Sequence, residues 1–468
     1  MTRIVIIGGG PAGYEAALVA AQYGADVTLV ESDGPGGSCV LYDCVPSKTF
    51  IASAGGRTAV REAGELGIVV SAEDIGVDHH RVQDRVKTLA RKQSADVGRR
   101  LVEDGVTICT GRARLADTAP GLSAHRVAVT AADGTGSELE ADVVLLATGA
   151  TPRVLPTAQP DGERILTWRQ LYDLDEPPEH LIVVGSGVTG AEFASAYTEL
   201  GVRVTLVSSR DRVLPGEDAD AAAVIEQVFA ARGAELVKQA RATSVTRVAD
   251  GVVVKLADGR QVTGSHCLMT VGSVPNTVDL GLDQVGVTTD SRGFITVDRV
   301  SRTSVSGIYA AGDCTGVLML ASVAAMQGRI AMWHVLGEGV PSLRLKTVAA
   351  NVFTHPEIAM VGISQAEVDA GKVPASVYRM PLATNPRAKM LGLHEGFVKL
   401  VIRPSTGIVI GGVVVAPEAS ELILPIALAV QNGLTAKDLA YTLSVYPSLS
   451  GTITEVGRRL MQFDGDLG

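Results

Sequence analysis

The stretch RIVIIGGGPAGYE, from Arg3 to Glu15, decides the fold. It predicts a buried strand, a glycine-rich turn and the start of a helix, and Gly8, Gly10 and Gly13 fill the three places of G-x-G-x-x-G. In this pattern the first glycine makes the turn, the second lets a pyrophosphate approach the backbone, and the third lets helix and strand pack closely. The helix start, with Pro11 and Ala12, then lies where phosphates bind favourably.

A second strand, VTLV, begins at Val27 and ends at Glu31. A carboxylate at this place can accept hydrogen bonds from both ribose hydroxyls of a dinucleotide. A lone G-x-G-x-x-G is weak, but strand, glycines, helix, strand and acid together predict a dinucleotide-binding unit.

The same unit returns as LIVVGSGVTGAE from Leu181, with no gap against the first copy. Its three glycine places and the two residues after the second glycine are Gly185, Gly187, Val188, Thr189 and Gly190. A match over a full strand–helix–strand stretch is unlike a chance glycine-rich turn. The sequence therefore predicts two bound dinucleotides.

The two dinucleotides need not be the same. The second copy has Ser208 where the first has Glu31, and Ser would not repel a 2′-phosphate. Arg210 and Arg212 follow and could pair with that phosphate, or they could be solvated surface charges. The second site is compatible with NADPH, and NADH stays an alternative.

The segment GGSCVLYDCVPSK, from Gly36 to Lys48, contains the only two closely spaced cysteines, Cys39 and Cys44. In a regular helix, residues five apart rise ~7.5 Å, whereas a disulfide needs Cα atoms within ~6.8 Å. The pair could bridge only across a distorted turn, which the flanking glycines and Pro46 favour. A helix start would also lower a thiol pKa. The pair is either redox-active or kept for packing.

Composition narrows the class of protein. The net charge of -10 over 468 residues argues against a nucleic-acid partner. No apolar run approaches the ~18 residues of a membrane span, and the first strand starts too early for a signal peptide. We expect a soluble, cytoplasmic protein without a metal site. The other cysteines, Cys109, Cys267 and Cys314, are expected to be inert.

The whole chain resembles the class I pyridine nucleotide–disulfide oxidoreductases, which include dihydrolipoamide dehydrogenase, glutathione and mercuric reductases and the soluble transhydrogenases. Besides the two units and the cysteine segment, the resemblance rests on ATGATP from Ala147, VGSVPNT from Val271, IYAAGDC from Ile308 and VFTHPEIAMVG from Val352. It implies an α/β fold with two Rossmann-like dinucleotide-binding domains, for FAD and NAD(P), and a C-terminal α+β dimerisation domain. The expected boundaries are 1–150 (FAD), 151–275 (NAD(P)), 276–345 (return to the FAD domain) and 346–468 (dimerisation), in a homodimer.

The resemblance also implies roles for single residues. Cys44 would lie against the flavin, Cys39 would attack a substrate disulfide, and Lys48 and Glu192 would form an ion pair beside the flavin where nicotinamide docks. The FAD site would comprise Gly8, Gly10, Pro11, Ala12, Gly13, Glu31, Ser38, Lys48, Ala113, Thr148, Gly149, Asp313, Met319, Leu320, Ala321 and Ser322. The NAD(P) site would comprise Gly185, Gly187, Val188, Thr189, Gly190, Glu192, Ser208, Arg210, Arg212 and Gly272.

One part of the family pattern is missing. The family manages the proton of disulfide exchange with a C-terminal His-Pro and a Glu five residues after the His. Here Tyr446 precedes Pro447 and Gly451 takes the place of the Glu, while the last histidine is His394. His355, in the FTHP run, is expected to be structural. Because a general base contributes ~10²–10⁴-fold, we expect little activity on lipoamide or glutathione disulfide, with Tyr446 as the candidate residue in this place.

Hydride transfer from nicotinamide to FAD needs none of the missing groups. The sequence therefore predicts an NAD(P)H oxidoreductase that passes electrons from FAD to a diffusible acceptor, for which a quinone is best suited. The alternatives are a soluble transhydrogenase, a dihydrolipoamide dehydrogenase-like disulfide reductase and a non-catalytic redox-sensing flavoprotein. The transhydrogenases share Tyr-Pro at this place, but they usually keep the acid and replace one cysteine.

Overall fold

A computed structural model describes residues 1–71, 75–116, 124–339 and 341–461. Its contacts divide the chain into two compact units. The first unit comprises Met1–Thr49, Gln83–Arg153 and Gly272–Leu343, and the second comprises Phe50–Val82, Val154–Val271 and Arg344–Gly468. The four domain boundaries expected from the sequence stay a prediction.

The strands form several sheets. In chain order they are β1 (Arg3–Ile7), β2 (Asp26–Glu31), β3 (Thr107–Thr110), β4 (Arg112–Ala116), β5 (His125–Thr130), β6 (Gly136–Ala141), β7 (Val143–Leu146), β8 (Ala150–Pro152), β9 (Ile165–Leu166), β10 (His180–Val184), β11 (Arg203–Val207), β12 (Glu235–Val237), β13 (Ala242–Val248), β14 (Gly251–Leu256), β15 (Gln261–Gly264), β16 (His266–Met269), β17 (Ser273–Pro275), β18 (Ile308–Ala310), β19 (Ala349–Val352), β20 (Glu357–Gly362), β21 (Ser376–Pro381), β22 (Phe397–Ile402) and β23 (Val409–Ala416).

The helices vary in length from about one turn to about seven turns. They are α1 (Pro11–Gln22), α2 (Gly37–Leu41), α3 (Cys44–Glu62), α4 (His79–Glu103), α5 (Val188–Glu199), α6 (Ala219–Ala231), α7 (Leu282–Val285), α8 (Ala321–Val335), α9 (Gln365–Asp369), α10 (Pro386–Met390), α11 (Ala419–Leu422), α12 (Leu424–Asn432), α13 (Ala436–Tyr441) and α14 (Gly451–Leu460). None of the helices in the described ranges is long and apolar enough to cross a membrane.

The first unit is built on a parallel sheet of order β18-β7-β1-β2-β3. The central strand β1 buries residues on both faces: Ile4 and Ile6 pack with α1 and α8, while Val5 and Ile7 pack with the small sheet β4-β5-β6. A parallel strand covered on both faces has to be apolar at successive positions. This explains why RIVII has no polar alternation.

The first sheet is completed from a distant part of the sequence. Strand β18 pairs in parallel with β7, with Ile308 opposite Val144, and brings Asp313 to the end of the sheet. Strands β8 and β17 also pair, so the two connections to the intervening segment run side by side.

The second unit contains a parallel sheet of order β12-β11-β10-β16-β9 and an antiparallel sheet of order β19-β20-β23-β22-β21. The neighbouring strands β22 and β23 of the second sheet consist mainly of apolar residues, FVKLVI and VIGGVVVA, and pair in antiparallel. The expected α/β class, with two dinucleotide-binding folds and a C-terminal α+β domain, is confirmed.

Candidate active site

The first glycine turn has the shape that a dinucleotide requires. A Cβ added to Gly13 would lie 1.8 Å from the carbonyl oxygen of Gly8, so α1 can pack this close only without a side chain there. Gly10 is the N-cap residue of α1, and a Cβ added there would have no atom of the described residues within 4 Å. The backbone therefore leaves a cradle for a pyrophosphate at the helix start, and the residues fit FAD.

Glu31 ends β2 beside this cradle. Its Oε2 accepts a hydrogen bond from the N–H of Gly9 at 2.5 Å, and its Oε1 accepts one from the N–H of Asp33 at 2.8 Å. The carboxylate is thereby held next to the glycine turn, where a ribose would lie.

The turn between the two cysteines is distorted, as the sequence predicts. Cys39 lies in the short helix α2, Cys44 is the first residue of α3, and the N–H of Asp43 donates to the carbonyl of Ser38, five residues earlier. Both cysteines are thiols. A hydrogen bond with the Cys44 thiol, followed by burial, raises the pKa of Cys39. The expectation of a lowered thiol pKa is therefore wrong for Cys39 in this dithiol state.

Asp313 has an unusual carboxyl group. Burial, and then the charge of Asp43, raises its pKa to about 6. Its surroundings disfavour the charged form of this half-buried carboxyl group. A hydroxyl group of a ligand could donate a hydrogen bond to it and so stabilise the charge. The backbone before it is fixed, since the N–H of Gly312 donates to Oε1 of Gln327 at 2.9 Å.

The other predicted FAD residues lie in the first unit. Thr148 bonds with Asn276 twice, through its Oγ1 to the Asn276 carbonyl at 2.7 Å and through its own carbonyl from Asn276 Nδ2 at 2.9 Å. The remaining residues lie in the following places: Ser38 in α2, Lys48 in α3, Ala113 in β4, Gly149 after β7, Met319 and Leu320 before α8, and Ala321 and Ser322 in its first turn. Asn276 was not predicted, although it stands in the VGSVPNT motif.

The second glycine turn repeats the first. A Cβ on Gly190 would lie 1.9 Å from the carbonyl oxygen of Gly185, while Gly187 faces open space and precedes Val188 and Thr189 at the start of α5. The geometry fits a second dinucleotide. Gly272, also assigned to this site, lies in the first unit, where its carbonyl accepts the N–H of Arg153 at 2.9 Å.

Three residues predicted for the second site, Ser208, Arg210 and Arg212, lie in the loop after β11 and have different surroundings. Ser208 is fully buried, and its hydroxyl is bonded to Ser186 Oγ at 2.7 Å and to the N–H of Arg210 at 3.1 Å. Arg212 Nη2 donates to the carbonyls of Pro215 and Glu217 at 3.0 and 3.2 Å. Arg212 thus holds the loop closed, whereas Arg210 is exposed.

Glu192 lies in α5 with 3% of its surface exposed. Its Oε1 accepts a hydrogen bond from the N–H of Phe353 at 2.9 Å. Sequence reasoning missed Phe353, because a backbone donor leaves no trace in residue type. It also missed Ser195 and Glu199, although their spacing of three and seven from Glu192 places them on the same helix face. The ion pair of Glu192 with Lys48 stays a prediction.

The segment just before α14, here called the tail, exposes three apolar side chains in the single protomer. The exposed fractions of Leu443, Val445 and Tyr446 are 99%, 77% and 82%. Gly451 begins α14, and a Cβ there would make only ordinary contacts, the nearest at 3.5 Å to Ser448 Oγ. His355 lies far along the chain from this tail, and its backbone bonds to Ser195 and Arg232.

Comparison with protein families gives two matches. The pyridine nucleotide-disulphide oxidoreductase model covers residues 2–328, and the model of the dimerisation domain of these enzymes covers residues 348–456. The chain belongs to the pyridine nucleotide-disulphide oxidoreductase family. As a member of this family it is an oxidoreductase that uses FAD and NAD(P)H, and the expected fold and cofactors are confirmed.

Relatives in this family include both quinone and lipoyl enzymes. A protein of Mycobacterium tuberculosis named NAD(P)H dehydrogenase (quinone) is 64% identical over 99% of this chain and 95% of its own length. A dihydrolipoyl dehydrogenase of Chlorobaculum parvum is 35% identical over 99% of this chain and 97% of its own length. The crystal structure of LpdA from M. tuberculosis, at 64% identity, superposes with a TM-score of 0.95 over 99% of this chain and 100% of that one.

Proposed function

We propose that this enzyme passes hydride from NAD(P)H to FAD and then reduces a quinone. The observation that carries the proposal is the combination of two complete dinucleotide cradles with a C-terminal segment that has Tyr446 and Gly451 in place of a His and a Glu. The first half of the reaction is supported, whereas the proton-handling pair for disulfide exchange is missing. The name of the M. tuberculosis relative, NAD(P)H dehydrogenase (quinone), agrees with this proposal.

In this proposal some residues bind FAD, and others stabilise charge or orient the nicotinamide. FAD, when bound, supplies the two-electron chemistry. The backbone at Gly8–Gly13 and the Glu31 carboxylate would hold its adenosine half, while Asp313 would accept a hydrogen bond from a ligand hydroxyl. The cation of Lys48 would stabilise negative charge, and the Glu192 carboxylate would orient the nicotinamide.

A quinone suits this chemistry because it needs no thiolate and no general base. It is planar, can stack near a flavin and accepts electrons singly or in pairs. A disulfide substrate instead needs a base to manage the thiol proton, and a tyrosine with a pKa of ~10 is a poor base at neutral pH.

The same tail supports a homodimer. Exposed apolar side chains cluster in sequence at Leu443, Val445 and Tyr446 within the dimerisation domain. Contiguous exposed apolar surface marks an interaction site. Light scattering during size-exclusion chromatography should give twice the mass of the chain, and a monomer at micromolar concentration would contradict this part of the proposal.

The proposed function is tested by offering acceptors to the purified holoenzyme under saturating NADPH and NADH. We expect turnover with benzo- and naphthoquinones and a rate at least ~10²-fold lower with lipoamide and glutathione disulfide. Rapid lipoamide reduction would overturn the proposal. Reduction of a thio-NAD analogue by NADPH, faster than quinone reduction, would instead identify a transhydrogenase.

A further inference from the structure

Helix α5 carries a polar stripe that faces the segment Phe353–His355. Glu192, Ser195 and Glu199 are spaced by three and four residues, which places them on one face. All three are buried, with exposed fractions of 3%, 2% and 2%. The rest of this helix is built mainly from small and apolar side chains, so the stripe has to find its partners inside the protein.

Two hydrogen bonds from this face of α5 and one from Arg232, which follows α6, hold the segment. The N–H of Phe353 donates to Glu192 Oε1 at 2.9 Å, and the N–H of His355 donates to Ser195 Oγ at 3.1 Å. The carbonyl of His355 accepts from Arg232 Nη1 at 3.0 Å. Glu192 is thus one of several contacts along the segment rather than an isolated one.

Glu199 organises the other members of the group. Its Oε1 accepts from Ser195 Oγ at 2.8 Å and lies 3.9 Å from Arg232 Nη1, and its Oε2 accepts from Thr58 Oγ1 at 3.0 Å. A buried carboxylate is tolerated only with such compensation. Because Ser195 donates to Glu199, its oxygen is oriented to accept the N–H of His355.

We propose that Ser195, Glu199 and Arg232 form a positioning group that presses Phe353–His355 onto α5 and so fixes the carboxylate of Glu192 for hydride transfer. The Phe353 N–H reaches Glu192 only while His355 is held two residues later. The inference rests on the proposed place of Glu192 beside the nicotinamide. None of the three positioning residues touches the reacting atoms.

The test compares Ser195→Ala with Thr198→Val. Thr198 is a matched control, since it is also buried in α5 but its hydroxyl donates within the helix, to the carbonyl of Ala194 at 2.7 Å. Glu199→Gln is a second test variant, which keeps the shape of the side chain and removes its charge. The first measurement is hydrogen–deuterium exchange of the Phe353 and His355 amides in the flavin-loaded protein without nicotinamide.

In Ser195→Ala we expect both amides to exchange about tenfold faster, including that of Phe353, whose own acceptor is unchanged. Stopped-flow reduction of the flavin by saturating NADPH should slow by about tenfold in Ser195→Ala and Glu199→Gln. Reduction by dithionite, which needs no nicotinamide, should be unchanged. Thr198→Val should match the wild type in every measurement.

Wild-type exchange at Phe353 in Ser195→Ala, or equal slowing by Thr198→Val, would overturn the inference. Failure of the quinone proposal is distinguishable, because it would show only when NADPH-reduced flavin is mixed with quinone. The exchange and reduction measurements contain no quinone.

Discussion

A Cβ on Gly190 would lie 1.9 Å from the carbonyl oxygen of Gly185, whereas one on Gly187 would meet no atom of the described part of the chain within 4 Å. Substitution by alanine should therefore affect ligand binding at Gly187 and stability at Gly190. Gly187→Ala should leave the thermal midpoint unchanged but raise the KM for NADPH by about tenfold or more, because the methyl group fills the place of the pyrophosphate. Gly190→Ala should lower the midpoint, because helix and strand must separate. Equal KM effects at unchanged stability would contradict this assignment of roles.

The missing proton-handling pair can be put back. Tyr446→His together with Gly451→Glu should raise lipoamide reduction, by up to the ~10²–10⁴-fold typical of a general base, with little change in quinone reduction. A Cβ at Gly451 would make ordinary contacts, the nearest at 3.5 Å to Ser448 Oγ, so the backbone there can carry a side chain. Tyr446→Phe is the control and should gain nothing. If the double variant folds and stays inactive on lipoamide, the tail is not what excludes disulfides.

Substitution of Arg210 and of Arg212, the two arginines assigned to the second site, should affect the KM values for NADPH and NADH differently. Because Arg212 is bonded to the carbonyls of Pro215 and Glu217, Arg212→Ala should loosen the loop and raise the KM for NADPH and NADH alike. Arg210→Ala should raise only the KM for NADPH, by about tenfold, through loss of an ion pair with the 2′-phosphate. An unchanged ratio of NADPH to NADH efficiency in Arg210→Ala would exclude that ion pair.

Asp313 should make the flavin-free protein sensitive to pH. Its folded pKa of about 6 lies above the unfolded value, so its contribution to stability is present at low pH and is lost as the pH rises through 6. The free energy of unfolding should fall by about 1.4 kcal/mol per pH unit between roughly pH 4 and 6 through this group. Asp313→Asn should therefore be more stable than the wild type at pH 7 and not at pH 4, as measured by urea unfolding. Parallel pH profiles would show that the carboxyl group is not perturbed.

The cysteine pair should store electrons without being needed for quinone reduction. Since the two thiols are within hydrogen-bonding reach, they can first be oxidised to a disulfide. An anaerobic NADPH titration of that oxidised enzyme should then consume about two hydride equivalents per FAD in the wild type and about one in Cys44→Ser. Quinone turnover of Cys44→Ser should stay within about threefold of the wild type. Loss of turnover would instead place the thiols in the path of the electrons.

The sequence predicts the parts of this enzyme that depend on local pattern. Glycine spacing and the apolar strand RIVII predicted the turns at Gly8 and Gly185, and Glu31 ends its strand as expected. Contacts made by backbone atoms, such as Phe353 N–H on Glu192, were not predicted, because any residue can supply them. The raised pKa of Cys39 likewise depends on the hydrogen bond with the Cys44 thiol and on burial, which follow from tertiary structure. The hydrogen bonds of Arg212 to the carbonyls of its own loop were not predicted either, because they follow from tertiary structure.

The completion of the first sheet by β18 has a consequence for biosynthesis. Strand β18 ends at Ala310, whereas the sheet of the second dinucleotide fold needs only the stretch from Ile165 to Met269. A ribosome therefore finishes the second fold while the first still lacks an edge strand. The proposed flavin site, with Asp313 just beyond β18, is completed only after the second fold, so a nascent chain cannot hold the prosthetic group in its final surroundings until about two thirds of it has been translated.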